Sequence, residues 1–148
     1  MEIETQELTI RRSFKAPRDR VFRAWTDPAS VQQWFMPRPG GRVDVADIDL
    51  KVGGSYRIVF IDSDGTEYAV GGVYTEVAPP ARLAYTWQWE QSGMQPGETT
   101  VIVEFVDRGA QTELILTHQR LASPQSKEAH GYGWSGCLEG FAKHVEAG

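Results

Sequence analysis

Three histidines, a single cysteine and a serine within a glycine-rich run are the residues of this sequence with chemistry to offer. Gly131-Tyr132-Gly133-Trp134-Ser135-Gly136 spells G-x-G-x-x-G, the pattern that cradles a dinucleotide pyrophosphate. That chemistry needs a strand just before the first glycine. Here a helix-start signal, Ser123-Pro124, precedes the run, so the dinucleotide reading is rejected. Cys137 stands where the last glycine of a nucleophile elbow belongs, which leaves Ser135 as a plain helix residue. His118, His130 and His144 lack the H-E-x-x-H spacing of a metal helix, and one cysteine cannot build a thiolate zinc site. No metal and no cofactor is therefore expected. His144 reads as a solvated residue near a helix C-terminus, where positive charge is welcome.

His118 and His130 differ, because both fall on faces that are otherwise apolar. Each is either a core histidine satisfied by one hydrogen-bond partner or a polar anchor that orients a ligand inside an apolar pocket. Acid–base work by either needs a second positioned group. Tyr68, Tyr74 and Asp49 qualify only by default, and no residue is assigned a catalytic role.

These residues must be positioned by a long terminal helix and a sheet. Ser123 is a predicted N-cap with Pro124 at the first helical position. Trp134, Leu138, Phe141 and Val145 then recur at helical spacing, with His130 one turn before Trp134. Gly131, Gly133, Gly136 and Gly140 together cost such a helix roughly 4 kcal/mol relative to alanine. Either close backbone approach to the sheet or a helix that loosens over a cavity must offset this.

Upstream, residues 7–14 alternate as a first strand. Pro17 opens a short helix bearing Val21, Phe22 and Trp25, and Asp27-Pro28 opens a second with Val31, Trp34 and Phe35. Pro37 to Gly41 stops it. Six strands are predicted at 42–50, 54–61, 67–77, 82–89, 99–108 and 111–119. Short separators, including Asp62-Ser63-Asp64-Gly65, Pro79-Pro80 and the Ser92-to-Gly97 loop, make these an antiparallel meander. The expected fold class is α+β: a curved antiparallel sheet of about seven strands wrapped around the long C-terminal helix, in one domain over residues 1–148.

Alternation assigns the faces. Tyr56, Ile58 and Phe60 point one way, as do Leu83, Tyr85, Trp87 and Trp89, then Val101, Val103 and Phe105, then Leu114, Leu116 and His118. Arg57, Gln88, Glu90, Glu104 and Glu113 suit solvent. In the strand at 42–50, Val43 and Val45 are in phase with Asp47 and Asp49. Either a bulge near Ala46 switches the face, or carboxylates point inward; the cost of burying an unpaired carboxylate favours the bulge.

The bulk composition fits an ordinary globule: 148 residues, 41% hydrophobic and 24% charged, with a net charge of −5. That charge, without a Lys/Arg cluster, argues against nucleic acid. No apolar stretch is long enough to span a bilayer, so no membrane insertion is expected. A single cysteine and an acidic N-terminus fit a reducing cytoplasm.

Several motifs resemble a known family. Phe14-Lys15-Ala16-Pro17 with Val21 to Trp25, then Trp34, Asp49 to Tyr56, Asp64-Gly65, Gly72 to Pro80, Arg82 to Trp87, Thr112 to His118 and His130-x-x-Gly133-Trp134 are similar, in order, to the SRPBCC (START-like, helix-grip) superfamily. Within it the chain resembles the family named for the C-terminal domain of the activator of the ninety-kilodalton heat-shock chaperone's ATPase. The resemblance implies binding of a lipid, sterol or polyketide between sheet and helix. A minority of superfamily members are cyclases or hydrolases. The cochaperones carry a further N-terminal domain, for which 148 residues leave no room.

The leading expectation is a module that binds a small hydrophobic molecule. Its expected walls are Tyr56, Ile58, Phe60, Trp87, Trp89, Val103, Phe105, Leu116, Trp134, Leu138 and Phe141, with His118 or His130 as polar anchor. The alternatives are a chaperone partner whose ATPase the protein stimulates, and a cyclase- or hydrolase-like enzyme. The assembly expected is a monomer or homodimer.

Overall fold

A computed structural model describes residues 5–91 and 97–147. Most of the loop expected from Ser92 to Gly97, and the first four residues, lie outside the described residues. The elements run β1 (Gln6–Phe14), α1 (Arg18–Thr26), α2 (Pro28–Trp34), β2 (Arg42–Ile48), β3 (Ser55–Ile61), β4 (Glu67–Ala78), β5 (Arg82–Trp89), β6 (Thr99–Arg108), β7 (Gln111–Leu121) and α3 (Pro124–Glu146). This is the α+β helix-grip architecture. The seven strands pair antiparallel in the order β1-β7-β6-β5-β4-β3-β2.

That order places β1 and β2 on opposite edges. The segment joining them, α1 and α2, must therefore cross the inner face of the sheet. It does so with its aromatic side chains down: Phe22 meets Phe105 with ring centroids 5.2 Å apart, and Trp25 and Trp34 each meet Phe141 of α3, at 5.1 and 4.8 Å. The sheet is thus covered by three helices, not by the terminal helix alone.

The inward alternation holds on β3, β5, β6 and β7, where the residues assigned inward from Tyr56 to His118 are buried except Trp89, which packs half-buried against the core. The outward side chains pair across strands. Arg57 grips Glu90 with two hydrogen bonds of 2.7 and 2.9 Å, and Arg82 bridges Glu76 and Glu104. These pairs are exposed and contribute little stability.

Two bulges correct the expected boundaries. In β2 the register slips between Val43 and Val45, so Asp44 is the extra residue. Val43 packs against the core before the bulge, and Ala46 and Ile48 after it, while Asp47 and Asp49 face out. The face switches as expected, two residues earlier than Ala46. The strand ends at Ile48, because Asp49 to Gly54 form a turn. In β7, Arg120 has φ 69° where the pairing to β1 slips. This left-handed residue turns Arg120 outward and drops Leu121 into the core, extending the strand past 119.

α3 starts as expected: the Ser123 hydroxyl accepts from the Ser126 N–H at 3.0 Å. Asp27 differs. It holds the Ser30 hydroxyl at 3.2 Å and caps no backbone N–H. Gly136 and Gly140 of α3 do serve close approach, but to α2 and the residues after it, because these lie against α3 where the sheet was expected; Gly133 has room, with Pro37 Cβ 3.6 Å from where its own Cβ would stand. A Cβ on Gly136 would collide with the Pro37 carbonyl, and one on Gly140 would stand 2.8 Å from the Trp34 carbonyl. On the other side, a Cβ on Gly131 would rest 3.6 Å from Leu8. Gly136→Ala is therefore expected to destabilise by roughly 1–3 kcal/mol through overpacking. Gly131→Ala should cost nothing and gain up to about 1 kcal/mol of helix propensity. Urea midpoints of the two variants check this, and equal shifts would refute the close-packing explanation.

Candidate functional site

α1 and α2 fill one end of the space between sheet and terminal helix, and among the described residues a large cavity lies toward the other end. It measures about 670 Å³ and lies between the first half of α3, the Phe35–Arg38 segment and the ends of β3, β4 and β5. Its walls are mostly rings: Phe35, Phe60, Tyr68, Trp87, Trp89 and Trp134. Phe60 stacks on Tyr68 at 5.4 Å, and Trp87 meets Trp89 edge to face at 5.6 Å. A second chamber of about 30 Å³ lies deeper, and Phe35, Trp87 and Trp134 line both spaces.

Of the residues expected to line a site, Phe60, Trp87, Trp89, His130 and Trp134 border the large cavity. Tyr56 and Ile58 border the small chamber. Val103, Phe105, Leu116, Leu138 and Phe141 belong to the packed core, under the rings that α1 and α2 contribute. His118 is fully buried.

Both histidines are held by tryptophans, in opposite tautomers. An indole N–H only donates, so the bond from Trp134 Nε1 to His118 Nδ1 at 3.1 Å leaves the His118 proton on Nε2. That nitrogen donates to the Thr99 hydroxyl at 2.7 Å, which donates in turn to the Trp87 carbonyl at 3.1 Å. His130 reverses the arrangement. Its Nε2 accepts from Trp89 Nε1 at 3.0 Å, and Nδ1 donates to the Ser126 carbonyl at 2.8 Å. The two imidazoles lie 4.8 Å apart, edge to face.

Burial, with the neighbouring His130 adding to it, lowers the His118 pKa to about 3. Burial also lowers that of His130, partly offset by its bond to Ser126. Both rings are neutral at pH 7, and all four nitrogens are engaged by the protein. An acid–base step at either would first have to break an indole hydrogen bond.

The default partners do not complete a catalytic set. Tyr68 lines the large cavity, whereas Tyr74 lines the small chamber and burial raises its pKa. Asp49 is exposed beside Lys51 at 3.6 Å. Burial pushes the Cys137 thiol up to about 12, which makes it a poor nucleophile. Among the described residues, no cluster of three or more His, Cys, Asp or Glu is placed to hold a metal, and no helix is long and apolar enough to cross a membrane.

The mouth is polar. Arg38 faces the buried Asp62 at 3.7 Å, with Gln125, Glu128 and Tyr132 along the α3 side. Sequence reasoning missed these residues, together with Phe35 and Cys137. In the sequence, Pro37-Arg38-Pro39 and Asp62 to Gly65 read as stop and turn signals. The available signal was on α3, where Gln125, Ala129, Tyr132 and Gly133 recur at helical spacing one position from the apolar stripe.

A family model described as "Activator of Hsp90 ATPase homolog 1-like protein" matches residues 15–146. The chain belongs to this family. With it comes membership of the SRPBCC superfamily. Three solved structures are similar across most of this Hsp90-activator-like chain. Protein CV1439 of Chromobacterium violaceum is 28% identical with a TM-score of 0.87, over 95% of this chain and 96% of that one. The AHSA1 protein of Silicibacter pomeroyi is 28% identical with a TM-score of 0.82, over 93% and 95%. CalU16 of Micromonospora echinospora is 27% identical with a TM-score of 0.73, over 96% of this chain and 77% of that one. Among curated proteins, none matches the chain.

Proposed function

We propose that this member of the Hsp90-activator-like family binds a small hydrophobic molecule in the cavity beneath the first half of α3. The cavity itself carries the reading: about 670 Å³ of ring-lined space with a polar mouth, within the size range of small-molecule sites. A core of this size ordinarily closes on itself, since interiors pack as densely as organic crystals. Here Phe60, Trp87, Trp89 and Trp134 border space instead, while the histidines beside them are neutral and satisfied. The site thus offers aromatic surface inside, with its charged residues Arg38, Asp62 and Glu128 at the mouth.

Trp87, Trp89 and Trp134 make occupancy visible. Titration with a panel of apolar probes, including a fatty acid, is expected to change tryptophan emission saturably, and Trp89→Ala is expected to weaken it. Native mass spectrometry of the purified protein would report a retained molecule directly. Emission unmoved by every probe would refute the reading.

The family description favours a second reading, in which the protein stimulates a chaperone ATPase. Such stimulation requires a surface that prefers one state of the chaperone, since equal affinity for both shifts nothing. A saturable, severalfold rise in the chaperone's ATP turnover, unaffected by Trp87→Ala, would establish that reading in place of the first.

A further inference from the structure

Four of the five tryptophans place their indole N–H on a protein acceptor. Trp25 uses the Tyr85 hydroxyl, Trp34 the Ala24 carbonyl, Trp89 His130 and Trp134 His118. Trp87 is the exception. It is 4% exposed, and among the described residues its Nε1 is buried without a hydrogen-bond partner. Buried donors are rarely left unpaired, because desolvation is then uncompensated. The ring that carries this donor borders both the large cavity and the small chamber. A molecule in one of those spaces is the available source of an acceptor.

The walls narrow the class of that molecule. Seven aromatic side chains line the large cavity, Tyr132 at its mouth among them, and no Leu, Ile, Val or Met does. An acyl chain is matched by aliphatic walls, whereas stacked and edge-to-face rings reward another ring beyond the area they bury. The one cation at the cavity among the described residues, Arg38, already faces Asp62. No unpaired positive charge therefore awaits a carboxylate inside. The acceptor that suits Trp87 is a neutral oxygen.

Resting on the reading of the cavity as a ligand site, we infer that its ligand is an uncharged aromatic molecule whose carbonyl-type oxygen accepts the Trp87 indole N–H. The rings hold the ligand's plane and the indole fixes its direction. Water in the small chamber is the competing acceptor. That chamber has room for about one molecule by volume; the Tyr56 hydroxyl at its wall already donates to the Thr86 carbonyl, and that of Tyr85 already accepts from Trp25.

The test uses 9-fluorenone and fluorene, one fused tricycle with and without a carbonyl. Calorimetric titration is expected to give about threefold to tenfold tighter binding of fluorenone, the worth of one net hydrogen bond. In ¹H–¹⁵N spectra of the unmodified protein, the indole resonance missing from Trp87→Phe should move downfield with fluorenone and much less with fluorene. Trp87→Phe should bind both arenes equally. Equal affinities in the unmodified protein, or a Trp87 N–H that stays in contact with water in the fluorenone complex, would overturn the inference. Binding of dodecanoate but of neither arene would overturn it and leave the cavity reading standing. Binding of none of the three would sink both.

Discussion

Acidification from pH 7 to pH 4.5 is expected to remove roughly 2–3 kcal/mol of stability through His118 alone. The imidazole titrates near 6.5 in an unfolded chain, and burial lowers it to about 3 in the fold. A depressed base binds its proton more readily when unfolded. Its contribution is therefore complete above about pH 6.5 and is lost as pH falls toward 3, reaching roughly 4–5 kcal/mol there. His130, lowered in the same direction, adds to the slope. Glu90 and Glu139, held below the usual carboxylate range by hydrogen bonds from Arg57 and Arg12, lose their contribution in the same direction, starting at the acid end of this series. Urea unfolding at pH 7, 6, 5 and 4.5 measures the slope. His118→Gln can still accept from Trp134 and donate to Thr99 but binds no proton in this range. Its stability should vary distinctly less with pH, and an undiminished slope would show that His118 is not the group responsible.

Replacing Trp134 by alanine is expected to cost about 3–5 kcal/mol, the range for truncating a buried large ring. Trp134 is 3% exposed and packs within 6.4 Å, centroid to centroid, of Trp25, Phe35, Trp87 and His118. Its loss joins the large cavity to the small chamber, both of which it lines. Trp134→Phe keeps most of the ring and removes the N–H. It leaves His118 Nδ1 buried without a donor, at a cost of roughly 1–3 kcal/mol. Tyr132, two residues earlier and 69% exposed, supplies the control: Tyr132→Ala should stay within about 0.5 kcal/mol of the parent. Denaturant midpoints should rank the three variants in that order. Trp134→Phe matching the parent would mean that the indole–imidazole bond contributes nothing.

The emission titration of the cavity and the alanine scan of the α3 glycines test the same geometry from two sides. The first asks whether the space at the N-terminal end of α3 admits a molecule. The second asks whether α3 lies as close to α2 and the segment after it as the Gly136–Pro37 and Gly140–Trp34 approaches require.

Much of this protein is decided by neighbours in sequence. The inward sets on β3, β5, β6 and β7 follow from a side-chain period of two, and the start of α3 from a serine followed by proline. Short polar separators dictate an antiparallel meander, and the meander leaves a single concave face to cover. The Asp47–Asp49 phase error announced a bulge because the alternative was to bury carboxylates. What the sequence could not divide was that concave face into filled core and open cavity. Val103, Phe105 and Phe141 carry the same alternation or helical spacing as Trp87, Trp89 and Trp134. Their fates differ because β1 and β2 sit on opposite edges of the sheet, which sends α1 and α2 across one end of it and not the other. The tautomers of His118 and His130 were equally beyond a linear reading. They are fixed by indole donors 16 and 41 residues away along the chain, and only a closed tertiary structure brings such groups within hydrogen-bonding reach.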